Sequence, residues 1–261
     1  MNGSFLFLGT GASVGIPVIG CQCTVCTSLS PYNHRLRPSG LIRLQGKTFL
    51  IDVGPDFRQQ ALKFKIDHLD GLLLTHTHYD HIAGIDELRI FYVRGGEALP
   101  CLLSQESYDD LKRRYYYIFQ PIGEMATLST QLDLHFLPEL DGEVEFLGVR
   151  IDFCSYFQGH MKVTGYRFGD FAYISDIREY NDSLFKKLAG VRTLVVSALR
   201  DEPSKLHFSL TEATTFARKV GAQMTYLIHM NHKLDHEATN QKLPSDVQLA
   251  HDGLEIEFGT N

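Results

Sequence analysis

Thr75-His76-Thr77-His78-Tyr79-Asp80-His81 follows directly on the apolar run Gly71-Leu72-Leu73-Leu74, and this junction decides the fold. A short continuous apolar run reads as a buried strand. Along extended chain alternate side chains share a face, so His76 and His78 point to one place. Where the chain then turns, Asp80 and His81 point to a neighbouring place. Imidazole and carboxylate suit zinc, manganese, iron and nickel ions. Two adjacent donor sets suggest two ions, which in such sites lie about 3.5–4 Å apart. Packing alone gives no reason for three histidines and an aspartate in so short a stretch.

Outward from this motif, short apolar runs alternate with helical stretches. Ser4 to Leu8 reads as a strand entering the glycine-rich turn Gly9-Thr10-Gly11. Leu41 to Leu44 and Thr48 to Ile51 read as strands flanking a turn at Gln45-Gly46. Phe57 to Phe64 reads as a short helix, and Gln105 to Tyr117 has helical spacing with Ser104 or Ser107 as its cap. Leu132 to Tyr173 looks like short alternating strands divided by glycines. Asn181 to Leu188 reads as a helix, Thr193 to Ser197 as a buried strand, and Leu210 to Val220 as a helix capped by Ser209 or Thr211. Met224 to Ile228 and Leu254 to Phe258 complete the strands. Two sheets packed face to face with helices outside fit this pattern. A chain of 261 residues is expected to form one domain over its whole length.

The formal net charge of -6 argues against a general nucleic-acid binder, which is usually basic. Arg35 with Arg37, and Lys112, Arg113 and Arg114, are the local basic groups, and solvated surface charge is the expected role of each. The apolar run after Met1 has no basic residue before it and is too short for a signal peptide. No segment approaches the ~20 apolar residues that span a bilayer. A cytoplasmic location without membrane contact is the expectation.

The 5 cysteines are an odd count, and Cys21, Cys23 and Cys26 lie close together. Such a cluster reads as a metal site rather than as disulfides. A structural zinc takes four ligands, so folding must bring a fourth donor. His232 is preferred, with His236, His34 and Cys154 as rivals. Cys101 and Cys154 stand beside apolar neighbours and read as small buried residues.

His-x-His-x-Asp-His after an apolar strand resembles the signature of the metallo-β-lactamase superfamily. That resemblance implies an α/β fold, an αββα sandwich of two mixed sheets with helices on the outer faces. It also implies further site residues. Asp52, in Phe49-Leu50-Ile51-Asp52, matches an aspartate that orients the metal-binding loop. His160 after Gly159 matches the third histidine, Asp176 the aspartate that bridges the ions, and His229 the last histidine. The first ion would then take His76, His78 and His160, and the second Asp80, His81 and His229, with Asp176 between them.

A narrower resemblance is to the PhnP-type phosphodiesterases. It rests on Gly9-Thr10-Gly11, Gly15-Ile16-Pro17, Cys21-x-Cys23-x-x-Cys26, Gly84-Ile85-Asp86-Glu87-Leu88-Arg89, Thr164-Gly165-Tyr166-Arg167 and the tail from His229 to Gly253. It implies a metal-dependent hydrolase acting on small cyclic phosphodiesters, including phosphoribosyl 1,2-cyclic phosphate, through hydroxide activated by two manganese or zinc ions. It further implies a structural zinc with His232 as fourth ligand, and a homodimer. His207 and Asp80 are its catalytic residues, His207 as an acid or electrostatic stabiliser near the scissile phosphate. Tyr79 is bulky where many relatives have a small residue, which bears on the substrate. Nucleic acid is expected only as a small fragment. The rival functions are a tRNA 3′-processing nuclease or a thioester or lactone hydrolase of the same fold, and, in another class, a non-catalytic carrier of the PqqB type.

Overall fold

Six strands pair in chain order: β1 (Asn2–Gly9), β2 (Ser39–Leu44), β3 (Lys47–Ile51), β4 (Gly71–Leu73), β5 (Leu99–Leu103) and β6 (Leu132–Phe136). Seven more form a second sheet, also in chain order: β7 (Asp141–Phe146), β8 (Val149–Gln158), β9 (Met161–Phe168), β10 (Phe171–Ile174), β11 (Thr193–Ser197), β12 (Met224–Ile228) and β13 (Val247–Leu249). The last strand, β14 (Glu255–Gly259), returns to flank β1 in the first sheet. This computed structural model describes residues 2–119, 129–138 and 140–260. Glu139, inside the run read as alternating strands, lies outside them.

Both sheets are mixed, and in the same way. In the first, pairing is antiparallel from β14 to β3 and parallel from β3 to β6. In the second it is antiparallel from β7 to β10 and parallel from β10 to β13. Apolar faces of the two sheets meet in one core. Phe5, Phe49 and Leu73 from the first pack with Phe153, Phe171 and Tyr173 from the second. The Phe5 ring lies 4.9 Å from Phe171 and 5.6 Å from Tyr173. Offset and tilted ring pairs of this kind add to simple area burial. Helices cover the outer faces. Phe57, Ile82, Leu88 and Leu111 pack on the first sheet, and Leu184, Ala213, Phe216 and Ala217 on the second. The αββα sandwich expected from the motif is the observed fold.

Local chemistry explains the element ends. The helix Leu210–Val220 has a full capping box: the Ser209 side chain accepts from Glu212 N–H, and the Glu212 carboxylate accepts from Ser209 N–H. Ser209, not Thr211, is therefore its cap. Ser104 caps Gln105–Arg114, which ends sooner than its spacing suggested, because Tyr115 leaves helical geometry before a further turn at Tyr116–Phe119. Sheet geometry then places the chemistry. Asp52, Thr75, Asp176 and His229 come immediately or shortly after β3, β4, β10 and β12, at the carboxyl ends of the parallel strands. Such ends are where α/β folds place ligands.

Candidate metal centre

Three of the residues that end these strands share an unusual backbone. Asp52, Asp176 and His229 have φ of 59°, 51° and 60°. Left-handed geometry is uncommon for residues other than glycine and clusters at functional sites. Here it turns the chain sharply at the strand end and directs each side chain across the mouth of the sandwich. Gly54 lets the motif loop come close: a Cβ there would lie 2.1 Å from the Asp80 carbonyl oxygen.

Six side chains meet as two groups with one member in common. Asp80, His81, Asp176 and His229 bring donor atoms within 4.8 Å of one another, and so do His76, His78 and Asp176. Asp176 Oδ2 is 3.5 Å from both His76 Nε2 and His81 Nε2, and its Oδ1 is 3.3 Å from His229 Nε2. Asp80 Oδ2 lies 3.2 Å from His229 Nε2 and 3.5 Å from His81 Nε2. His76 Nε2 and His78 Nδ1 are 3.0 Å apart. All but His78 are buried; no donor in either group lies on open surface.

Electrostatics follow from burial and mutual contact. Burial alone pushes the Asp80 and Asp176 carboxyls up, but the adjacent His81 and His229 outweigh it and hold both well below the usual carboxylate range. Burial opposes charge on His81 and His229, yet the facing carboxylates Asp80 and Asp176 raise both imidazoles. On the other side burial lowers His76, and brings His78 down to about 4. His81 Nε2 is buried with no hydrogen-bond partner while it faces Asp80 and Asp176. A buried lone polar atom is costly. A cation between imidazole and carboxylates removes that cost, so the residues present fit divalent ions.

Asp52 acts through its neighbours. Its Oδ2 lies 2.7 Å from His81 Nδ1, and it also accepts from Thr75 N–H and Thr75 Oγ1, each at 2.8 Å. Thr75 Oγ1 in turn lies 2.9 Å from His76 Nδ1. One buried carboxylate thus fixes the ring that presents Nε2 to the centre, as carboxylate–histidine pairs around metals do. An Asp52→Asn protein is expected to bind metal about 10- to 100-fold more weakly while remaining folded. Titration of the metal-free protein with Mn²⁺, beside its melting curve, checks this, and unchanged affinity would remove the orienting role.

His207 joins the rim rather than either donor group. Its ring stacks on His229 at 4.6 Å, and burial, followed by the nearby His229, holds its imidazole down to about 4. Tyr79 is 66% exposed at the start of the helix Tyr79–Ile82. His160 is the correction. The structure leaves it exposed at the turn between β8 and β9 and brings it to neither group. The reason is register: β8 and β9 remain paired up to Gln158 opposite Met161, so Gly159 and His160 are consumed by the turn.

The cysteine cluster closes on one histidine. His232 Nδ1 is 3.2, 3.6 and 3.5 Å from Cys21, Cys23 and Cys26 Sγ. His34, His236 and Cys154 are not part of the group. The Cys26 N–H, donating to Cys23 Sγ, draws that thiol down to about 6, whereas burial pushes Cys26 up to about 11. A cation among the sulfurs would oppose the effect of burial on Cys26. Arg35, read as a solvated charge, is buried here. It donates to the Asn231 and Leu234 carbonyls and so grips the segment that carries His232. Cys101 and Cys154 are buried, and burial raises both thiols, Cys154 to about 12.

Residues 47–230 match the family model described as the beta-lactamase superfamily domain. The chain belongs to the metallo-β-lactamase superfamily. Its fold is closely shared with a crystal structure of a diphosphatase from the PhnP family, at a TM-score of 0.90 and 38% identity over 99% of this chain and 98% of that one. Zn²⁺-bound PqqB from Methylobacterium extorquens aligns at a TM-score of 0.75 with 19% identity over 97% and 99% of the two chains, a likeness of fold alone. Octanoyltransferase from Porphyromonas gingivalis is 33% identical over 96% of this chain and 50% of its own length. This superfamily chain thus spans half of that curated relative. Among the described residues no helix is long and apolar enough to cross a membrane.

Two positioning residues of this superfamily site were not read from the sequence. Asp252 accepts from Thr10 N–H and Oγ1 through one oxygen and from Leu36 N–H through the other, pinning the glycine-rich turn. Asp110 accepts from Thr77 Oγ1 at 2.6 Å and pairs with Arg114 at 2.7 Å, while Arg114 donates to the Thr77 carbonyl. That braces the histidine motif from the helix beside it. The sequence signal was only a helix with acidic and basic residues at helical spacing.

Proposed function

We propose that this superfamily hydrolase is a phosphodiesterase acting on small cyclic phosphodiesters. The carrying observation is Asp176, a buried carboxylate common to both donor groups, with His207 stacked at their rim. The likeness to a PhnP-family diphosphatase over nearly the whole chain supports phosphoryl chemistry. Divalent ions held by His76, His78, Asp176, Asp80, His81 and His229, manganese or zinc, would supply an activated hydroxide and neutralise charge on the phosphoryl oxygens. The chain's own residues do the rest. Asp80 and Asp176 keep the centre anionic, so that a cationic pair of ions is retained. Asp52 and Thr75 hold His81 and His76 in register. His207, stacked on His229 at the rim, would hand the departing ester oxygen a hydrogen bond or proton. Tyr79 narrows the approach. Zinc in the cysteine site has a structural role, and a homodimer in a cytoplasmic setting goes with this reading.

Turnover of bis(p-nitrophenyl) phosphate and of ribose cyclic phosphates with added Mn²⁺ tests the proposal. Cyclic diester opening that chelation removes is the expected result. Thioester or lactone turnover without diester turnover would reject it, and inertness toward all of these would favour a carrier. A second reading, hydrolysis of a diphosphate linkage, is favoured by the likeness to the PhnP-family diphosphatase. A diphosphate-bridged substrate cleaved faster than any cyclic diester would select it. In either case a His207→Ala protein should turn over about 10²- to 10⁴-fold more slowly with its metal content unchanged. Wild-type turnover would remove His207 from the chemistry.

A further inference from the structure

We propose that Gln158, and not His160, supplies the remaining side-chain donor on the His76–His78 side of the centre. The inference rests on the two-ion reading above. The two donor groups are unequal: four side chains converge on one side and three on the other, with Asp176 counted in both. The sequence offered His160 for the vacant role, but the β8–β9 turn carries it to the surface. The same turn leaves Gln158 as the last inward-facing residue of β8. Tyr156 is 1% exposed and Gln158 4%, while Phe157 between them is 41% exposed.

Gln158 is placed for the task. Its amide nitrogen lies 3.1 and 3.0 Å from the two ring nitrogens of His207, whose ring stacks on that of His229. The hairpin that carries it lies along the histidine motif: Thr164 N–H donates to the Thr75 carbonyl at 2.8 Å, and Met161 Sδ lies 3.8 Å from Thr77 Oγ1. Gln158 Oε1 is nevertheless buried with no hydrogen-bond partner. A buried amide carbonyl left alone is an unusual expense in a folded protein. Turned over, the amide would present N–H groups in place of that oxygen, and a cation held beside it would repel them. A cation therefore selects the orientation in which the oxygen is free to bind it and the nitrogen is engaged at His207.

The substitution has a chemical consequence. Amide and carboxylate oxygens suit manganese and magnesium, whereas imidazole suits zinc and other borderline metals. Oxygen in place of a third imidazole thus tilts this side of the centre toward manganese. It also places the rim histidine one side chain away from that position, so that the amide offered to the ion is the one that orients His207.

Metal analysis and calorimetric titration of the folded, metal-stripped protein test the assignment, with Mn²⁺ and Zn²⁺ as separate probes. The wild type should take up two ions beyond the one retained by the cysteine site. His160→Ala should bind both with unchanged affinity. Gln158→Ala should bind one of them about tenfold more weakly or worse. Gln158→His, close in size, should keep two ions and shift that position toward Zn²⁺. Loss of an ion in His160→Ala, or wild-type affinity for both in Gln158→Ala, would overturn the inference. A wild type that takes up at most one ion in the centre would instead overturn the two-ion reading itself, so the two failures are distinguishable.

Discussion

An Asp176→Ala protein is expected to lose the two ions proposed for the centre and to hydrolyse the proposed diester at least about 10³-fold more slowly, a loss of several kilocalories of transition-state stabilisation. Asp176 touches His76, His81 and His229 through its two oxygens, so its removal deprives both donor groups at once. Truncation also leaves buried imidazoles facing empty space, since Asp176 is 1% exposed and no water replaces it cheaply. Alanine additionally fits the left-handed backbone at this position poorly. Asp176→Asn separates these effects, because asparagine tolerates that backbone and keeps the shape while losing the charge. Ion content should fall in both variants, with Asn intermediate. Metal analysis beside initial rates in Mn²⁺ makes the measurement. Retention of both ions by Asp176→Asn with unchanged rate would mean that shape rather than charge at Asp176 holds the centre.

This prediction was available from the sequence because Asp176 follows an apolar strand and takes its place in an ordered series after His-x-His-x-Asp-His. The same logic located Asp52 and His229. In each case the strand is buried in a parallel sheet, where apolar residues are required on both faces, and the change to a polar residue marks the strand end. His160 shows where that logic stops. A histidine after a strand is delivered to the site only if the following loop is long enough to turn inward, and loop length in space depends on register. Pairing of Gln158 with Met161 makes the turn tight and hands the inward position to glutamine, a residue type that carries no metal signature. Other omissions have similar causes. β5, Leu99-Pro100-Cys101-Leu102-Leu103, is too short for periodicity to speak, and the proline obscures it. The helix Arg89–Gly95 presents Ile90 and Val93 to the exterior, so its apolar pattern does not mark a buried face. Arg35 looked like surface charge because sequence does not reveal that the carbonyls of Asn231 and Leu234 fold back over it. The fold was legible from one junction; the partners of each site residue depended on long-range register.

The second large effect concerns stability. A Cys26→Ala protein, or wild type stripped of the ion at its cysteine site, is expected to melt at least about 6 °C lower, which for a chain of this size corresponds to roughly 2–3 kcal/mol. The segment between β1 and β2 has little core of its own: Ile16, Val25 and Cys26 are the buried members of its apolar cluster among the described residues. Its hold on the body comes from the sulfurs converging on His232, from Asn33 donating to Asp235 at 2.8 Å, and from Arg35 beneath. Structural zinc sites contribute folding free energy outright, since the unfolded chain does not hold the ion. The site also bears on chemistry, because His232 follows His229 by one short segment that Arg35 grips at Asn231 and Leu234. Loosening that segment should weaken metal binding at the centre as well, whereas Cys101→Ala, at a buried thiol outside the donor groups, should alter stability alone. Melting curves and Mn²⁺ titrations of both variants decide the matter. A Cys26→Ala protein with wild-type melting would deny the cluster a structural ion, and one with lowered melting but wild-type Mn²⁺ affinity would confine the ion's role to the loop.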